Sequence, residues 1–429
     1  MCEDWESVQL GELVERSFSG PSPTCEERNI QSEHEWGVLK TTSVTWSGWN
    51  EMAHKVLPEN HWDQGELEVK AGDIIVTKAG PRHRVGVVAY VDKTIPQLIV
   101  SGKMIGLRVK SDICLPDVLA GLLSTRAPQK HLDHRTTGMA ESQVNFANSA
   151  LLQTSIRIPP KEEQEVISSI GRHLDTQIQK TEALISKLEK VKEGLLNDLL
   201  TRGIDEKGQL RPSPEQAPEL YKESPLGLIP KEWQYGQLKD FGQLISGQHI
   251  PGELSNRDGR GVPYFTGPAD FYSGETVISS YTEFPQAMCS MGDLLVTVKG
   301  SGCGKTAIAS TDACISRQLM AFVFTEAEKG FWRAFFSLHE NMINKIAEGG
   351  AIPGISRQQL LHIPVACPKA EHEFIAISKT IAEHERRRSS EARQLKKLTK
   401  QKSGLMDDLL TGRVRVTPLL DQAQATTPA

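Results

Sequence analysis

LEKVKEGLLNDLLT, from Leu188 to Thr201, returns as LTKQKSGLMDDLLT, from Leu398 to Thr411, with nine of fourteen positions identical at an offset of 210 residues. Each copy closes a long, charge-rich helical pattern. Each is also preceded by a mixed, strand-like region that repeats in turn. The chain therefore reads as a duplicated unit, and the repetition sets its architecture before any local assignment does.

Working outward from the repeat, Lys161 to about Leu200 contains no proline. Ile167, Leu174, Thr181, Leu188 and Leu195 fall seven apart, with Ile170, Leu184 and Val191 near the complementary heptad position. Glu371 to about Leu410 follows the same rule: Phe374, Ile381 and Leu395 form one seam, and Ile377, Leu398 and Leu405 the other. Forty helical residues extend about 60 Å. Such a helix cannot bury its apolar stripe alone, and the obvious partner is the other copy. The residues expected to pack the spacer are Ile167, Leu174, Leu188, Leu195, Phe374, Ile381, Leu395, Leu398 and Leu405. An antiparallel coiled coil of this kind places two globular modules at opposite ends of a rod.

The modules match segment by segment. EDWESVQLGELVE has its counterpart in KEWQYGQLKDFGQ, which aligns Trp5 with Trp233 and Gln9-Leu10 with Gln237-Leu238. KAGDIIVTKAG (Lys70 to Gly80) is echoed by SMGDLLVTVKG (Ser290 to Gly300): Gly-Asp sets a turn, an apolar β-branched run makes a strand, and glycine ends it. SGKMIGLRV from Ser101 matches SRQLMAFVF from Ser316, and LLQTSIRIPP and LLHIPVACP close the two regions. The fold class is α+β, with two mixed α/β modules, two long helices and an internal pseudo-twofold repeat. The expected boundaries are module 1 over 1–160, spacer helix 1 over 161–202, a proline-rich linker over 203–232, module 2 over 233–367, spacer helix 2 over 368–412, and a disordered tail over 413–429.

The 429 residues leave room for two or three domains, each with its own core. No apolar run approaches the ~20 residues that span a bilayer. The acidic, amphipathic start MCEDWESVQLGELVERS is unlike an export signal, and seven cysteines lack any C-x-x-C pair, so a reducing cytoplasm is the expected compartment and no metal site is expected. A net charge of -5 counts against a polyanion partner for the chain as a whole, yet local balance sets the surface field.

KGSGCGKT, Lys299 to Thr306, resembles a phosphate-binding loop, but Lys299 stands where that motif needs glycine, and TAIASTDACIS after it is a poor helix former. A glycine-rich hairpin tip is the better reading, because the first module has a different sequence at the same place. The chain lacks an Asp/Asn-Pro-Pro-Tyr/Phe motif for adenine methylation, H-E-x-x-H and G-x-S-x-G, and its histidines form no spaced ligand set, so no autonomous catalysis is expected.

The basic hairpins carry more information. Residues 78 to 110 hold seven cations against Asp92, and residues 379 to 402 are also strongly basic, with Arg386, Arg387 and Arg388 adjacent. Arginine reads guanine bidentately and lysine anchors phosphate. The candidate DNA contacts are Lys78, Arg82, Arg84, Lys103 and Arg108 in the first module and Lys299, Ser301, Lys305, Arg317 and Gln318 in the second. The plainer alternative for each is a solvated face.

SPLGLIPKEW (Ser224 to Trp233), the Gly-Asp-strand-Gly hairpins, the Ile-Pro exits and the repeated Leu-Leu-Thr helix ends together resemble the specificity subunit of a type I restriction-modification system. The resemblance covers nearly the whole chain. It implies two target-recognition domains, Trp5 to about Ile158 and Trp233 to about Val365, that bind the halves of a split, asymmetric double-stranded DNA target. It also implies a non-catalytic chain that recruits two methyltransferase subunits using S-adenosylmethionine and motor-nuclease subunits using ATP and magnesium, with no cofactor of its own. Base-contacting residues do not transfer from the family.

If the spacer acts as a ruler, four residues inserted near Lys180 keep the apolar face and lengthen the gap in the target by one or two base pairs at about 3.4 Å each. The competing classes are a coiled-coil adaptor that binds proteins without DNA specificity, and an ATPase whose turnover depends on Lys305.

Overall fold

The computed structural model describes residues 4–300, 302–347 and 354–426. The chain divides into two compact units, Met1–Lys180 with Gln394–Ala429, and Thr181–Arg393.

In the first unit the central antiparallel sheet is built from β2 (Val14–Phe18), β3 (Ile74–Thr77), β4 (Val88–Tyr90) and β5 (Met104–Val109), in the order β2-β5-β3-β4. β1 (Glu6–Gln9) pairs antiparallel with β6 (Ser155–Ile158), so the two ends of the module meet. Helices α1 (Pro116–Ser124) and α2 (Arg126–His134) lie between, and α1 buries Val118, Leu119, Leu122 and Leu123. The long helix α3, Lys161–Thr201, follows β6 directly.

The second unit repeats this plan. β10 (Gln243–Ser246), β11 (Leu294–Thr297), β12 (Thr306–Ile308) and β13 (Leu319–Val323) stand in the order β10-β13-β11-β12, the same as in the first unit. β9 (Trp233–Gln237) pairs with β14 (Pro364–Pro368) as β1 pairs with β6. The Gly-Asp turn has one geometry in both. Gly72 and Gly292 take φ of 98° and 88°, and the following aspartates, Asp73 and Asp293, each accept an amide hydrogen bond at 2.8 Å, from Lys70 and Ser290. Positive φ explains the glycine, and the turn-closing carboxylate explains the aspartate. After α4 (Lys329–Leu338) and β14 comes the second long helix, α5, Glu371–Leu410.

Each unit holds the N-terminal half of one long helix and the C-terminal half of the other, running antiparallel. In the first, Lys402 is ion-paired with Asp175, and a Cβ on Gly171 would touch Met406 at 3.4 Å. In the second, Lys192 pairs with Glu385 at 3.0 Å and Arg388 approaches Glu189 at 3.7 Å. Moving Lys192 forward and Glu385 back by the 210-residue offset gives Lys402 and Asp175, so the two halves keep one register.

The repeated Leu-Leu-Thr ends are explained by where they pack. Leu199 and Leu200 join the core of the second unit with Trp233, Trp332 and Phe374, while Leu409 and Leu410 join the core of the first with Trp5, Leu119 and Ile167. Of the expected spacer residues, Ile167, Leu188, Phe374 and Ile381 are buried and Leu174, Leu195, Leu395 and Leu398 are half-buried. Leu405 is 39% exposed and Val191 47% exposed, and Met406 and Lys192 turn inward instead. A straight helix at 3.6 residues per turn drifts about 20° per heptad from a strict 3.5 repeat, which moves the buried face on by one residue.

Two segments expected to be unstructured are ordered. The linker forms an antiparallel hairpin, β7 (Tyr221–Ser224) and β8 (Gly227–Pro230), and Arg211 and Ile204 are buried. SPLGLIPKEW is the turn and return strand of that hairpin. In place of a disordered tail, over its described residues 413–426, Val416 is buried in the first core, Arg415 binds Glu163 with Nε to Oε2 at 3.0 Å, and helix α6 covers Thr417–Thr426, while 427–429 lie outside the described residues. A buried apolar anchor and a charge pair fix segments whose composition alone reads as loop. Among the described residues no helix is long and apolar enough to cross a membrane.

Candidate nucleic-acid interface

The C-terminal end of β3 and the N-terminal start of β5 lie side by side, and this places two predicted cations together: the Lys78 and Ala79 amides both donate to the Lys103 carbonyl. The equivalent end in the second unit joins Val298, next to Lys299, to the Gln318 carbonyl at 2.8 Å. Both modules therefore gather cation-bearing loops at the same end of the same sheet. Lys103, Lys299, Lys305, Arg317 and Gln318 are exposed there, free to meet an anion. Ser301 lies outside the described residues.

The string KGSGCGKT is a hairpin tip between β11 and β12. Gly300 and Gly304 take φ of 88°, the Thr297 amide donates to the Lys305 carbonyl, and the Gly304 amide donates back to the Thr297 carbonyl at 2.8 Å. A strand, not a helix, follows it. The helix that follows the glycines of a phosphate-binding nucleotide loop, and turns its N-terminus to the phosphate, is therefore replaced here by a strand.

The other first-module cations separate by role. Arg82 is exposed and pairs with Asp133 at 2.7 Å, beside a cavity of about 450 Å³ that Trp46, Arg126 and Lys130 also line. Arg84 is half-buried and braces the Thr41–Thr45 segment, donating to the Thr41 and Val44 carbonyls at 3.2 and 3.4 Å. Lys78 reaches Asn148 Oδ1 at 3.3 Å, and burial pushes its ammonium pKa below the ordinary value.

Arg108 departs from the expectation of a DNA contact. It sits near the far end of β5, where its Nε donates to Asp73 Oδ1 at 3.1 Å, Nη2 donates to the Glu68 carbonyl at 2.9 Å, and the guanidinium lies over the Phe18 ring. Burial pushes the Asp73 carboxyl above its ordinary range, with the Lys70 amide and Arg108 pulling it back. Arg108 therefore serves the turn beneath the sheet. Sequence reading also leaves out Trp46, Arg126 and Lys130. The four-residue spacing of Arg126 and Lys130 on α2 is the signal that could have found the cations.

A family profile described as the type I restriction modification DNA specificity domain matches residues 2–190 and 230–400. The chain belongs to that family. Both modules and most of both long helices fall within the match. The type I restriction enzyme EcoEI specificity subunit of Escherichia coli is 37% identical over 167 residues, 39% of this chain and 28% of that subunit. The putative type I restriction enzyme MjaX specificity subunit of Methanocaldococcus jannaschii is 25% identical over 419 residues, 96% of this chain and 94% of the relative. A chain solved in work on complex assembly and conformational transition of the type I R-M system shares the fold, with a TM-score of 0.59 at 18% identity over 95% of this chain and 98% of that one. Family membership makes recognition of DNA target sequences the function, and leaves an adaptor without DNA specificity unsupported.

Proposed function

We propose that each module binds one half of a bipartite, asymmetric double-stranded DNA target, and that the chain directs methylation and restriction by partner subunits. The observation that carries this reading is the repeated sheet order with dissimilar loops at one end. One frame presents Lys78, Arg82 and Lys103, and its copy presents Lys299, Lys305 and Arg317. Equal frames give equal docking geometry, and unequal loops read unequal sequences.

In this reading the chain is non-catalytic, works in the cytoplasm and binds no cofactor itself. Two methyltransferase subunits supply S-adenosylmethionine chemistry, and motor-nuclease subunits use ATP and magnesium. The test is selection of bound duplexes from a random pool by the chain co-expressed with its methyltransferase partner. The expected result is two short conserved blocks separated by a fixed, unconserved gap. A single conserved block, or no enrichment by an intact complex, overturns the proposal.

A further inference from the structure

Three segments of the first module converge on the open cavity beside Arg82. Trp46 stands at the tip of the hairpin formed by Val44–Thr45 and Gly48–Trp49, where Gly48 takes a φ of 129° and Thr45 Oγ1 donates to the Gly48 carbonyl at 2.9 Å. The hairpin is held from two sides. Arg84 donates to the carbonyls at its base, and Trp49 Nε1 donates to the Lys93 carbonyl at 2.8 Å. Yet the Trp46 indole is 60% exposed on this rigid support.

Across the cavity, α2 presents Arg126, Gln129, Lys130 and Asp133. Asp133 is already matched by Arg82, while Arg126 and Lys130, both exposed, have no ion-pair or hydrogen-bond partner among the described residues. The lining thus carries three cations against one carboxylate. Arg126 also opens α2, where the helix dipole disfavours a cation, so it does not serve the helix it stands on.

We infer that this concavity is a DNA-backbone seat of the first module: Arg126 and Lys130, with Arg82 behind them, hold consecutive phosphates of the duplex, and the Trp46 ring packs on the adjoining sugar or base edge. The inference rests on the proposed DNA-binding reading and deepens it. Arg126 and Lys130 stand one helical turn apart on α2, a spacing that suits successive charges of a polyanion better than one small anion. Phosphate contacts position the duplex and carry no sequence information, so the seat sets register for the loops that read bases.

The test uses the complex assembled with its methyltransferase partner and a fluorescent duplex taken from its own selected pool, with affinity measured across a salt series. Arg126→Gln combined with Lys130→Gln should weaken binding roughly tenfold and lower the log–log salt slope by about two, at about 0.9 per phosphate contact, with the selected sequence unchanged. Trp46→Ala should weaken binding roughly five- to hundredfold at an unchanged slope. All three side chains are exposed and support no core, and unfolding midpoints equal to the wild type confirm that the fold is kept. A wild-type slope in the double variant, while the wild-type complex binds its target, overturns this inference alone. Failure of the wild-type complex to bind any duplex overturns it together with the reading on which it rests.

Discussion

Arg211 and Glu373, 162 residues apart, form a two-pronged ion pair in the core of the second unit. Arg211 Nη2 donates to Glu373 Oε2 at 3.1 Å and Nη1 donates to Oε1, with 6% and 3% of the side chains exposed. Glu373 also accepts from Trp233 Nε1 at 2.9 Å and from the Ile204 amide at 3.0 Å. Gly203, with φ of 66°, passes so close that a Cβ there would meet Glu373, Arg211 and Trp233. The counterpart at the 210-residue offset is Glu163, which binds Arg415 in the first unit. In each unit, then, the first turn of one long helix is locked to the chain leaving the other.

Removing one member of a buried pair strands the other, at a cost of about 3–5 kcal/mol. Glu373→Ala should fall in that range, because it strands Arg211 and also the Trp233 indole and the Ile204 amide. Glu163→Ala should cost less, since its partner Arg415 is 24% exposed and can recover water. Chemical denaturation of the two variants checks the order.

The repeat and the helix pairing were legible because apolar periodicity survives divergence: Leu188, Phe374 and Ile381 stand where their spacing puts them. The partners of charged residues were not legible. Nothing local to Arg108 points to Asp73, 35 positions away, and nothing in the proline-rich stretch around Arg211 points to Glu373. Charge pairing is decided by tertiary approach, which the pattern of one segment does not encode. The same blindness hid the tail, where Arg415 and Val416 anchor a segment of loop-like composition, and the cavity, whose Trp46 and Arg126 are 80 residues apart.

The one-residue drift of the helix face gives a sharp comparison. Met406 packs against the first core and lies over Gly171, whereas Leu405 is 39% exposed. Met406→Asp should destabilise by about 1–3 kcal/mol, because it places a charge on the half-buried face that packs against the core. Leu405→Asp should stay within about 1 kcal/mol. A strict heptad would reverse the two, and urea midpoints distinguish them.

Burial pushes the Cys114, Cys289 and Cys367 thiols up to about 12, from an ordinary 9.0. With the folded pKa raised, each thiol's contribution to stability is complete below pH 9 and is lost as pH rises toward 12, because only the unfolded thiol then gains by ionising. The slope is about 1.4 kcal/mol per pH unit per thiol. Replacing Cys367 by alanine should therefore reduce the stability lost between pH 8 and pH 10 by about 1.4 kcal/mol relative to wild type, measured by denaturation at the two pH values.

Arg108 and the exposed second-module cations should separate stability from DNA binding. Arg108→Ala leaves the Asp73 carboxylate, 2% exposed, without its guanidinium, so the fold should lose about 2–3 kcal/mol while the salt slope of DNA binding holds. Lys299→Ala, Lys305→Ala and Arg317→Ala remove exposed charges and should move stability by no more than about 0.5 kcal/mol. If those cations meet phosphates, each loss should lower the salt slope by about 0.9. Denaturation and salt-dependent binding on the same four variants form the check. A slope that falls for Arg108 and holds for the other three would move the DNA-contacting end of the sheet to the opposite side.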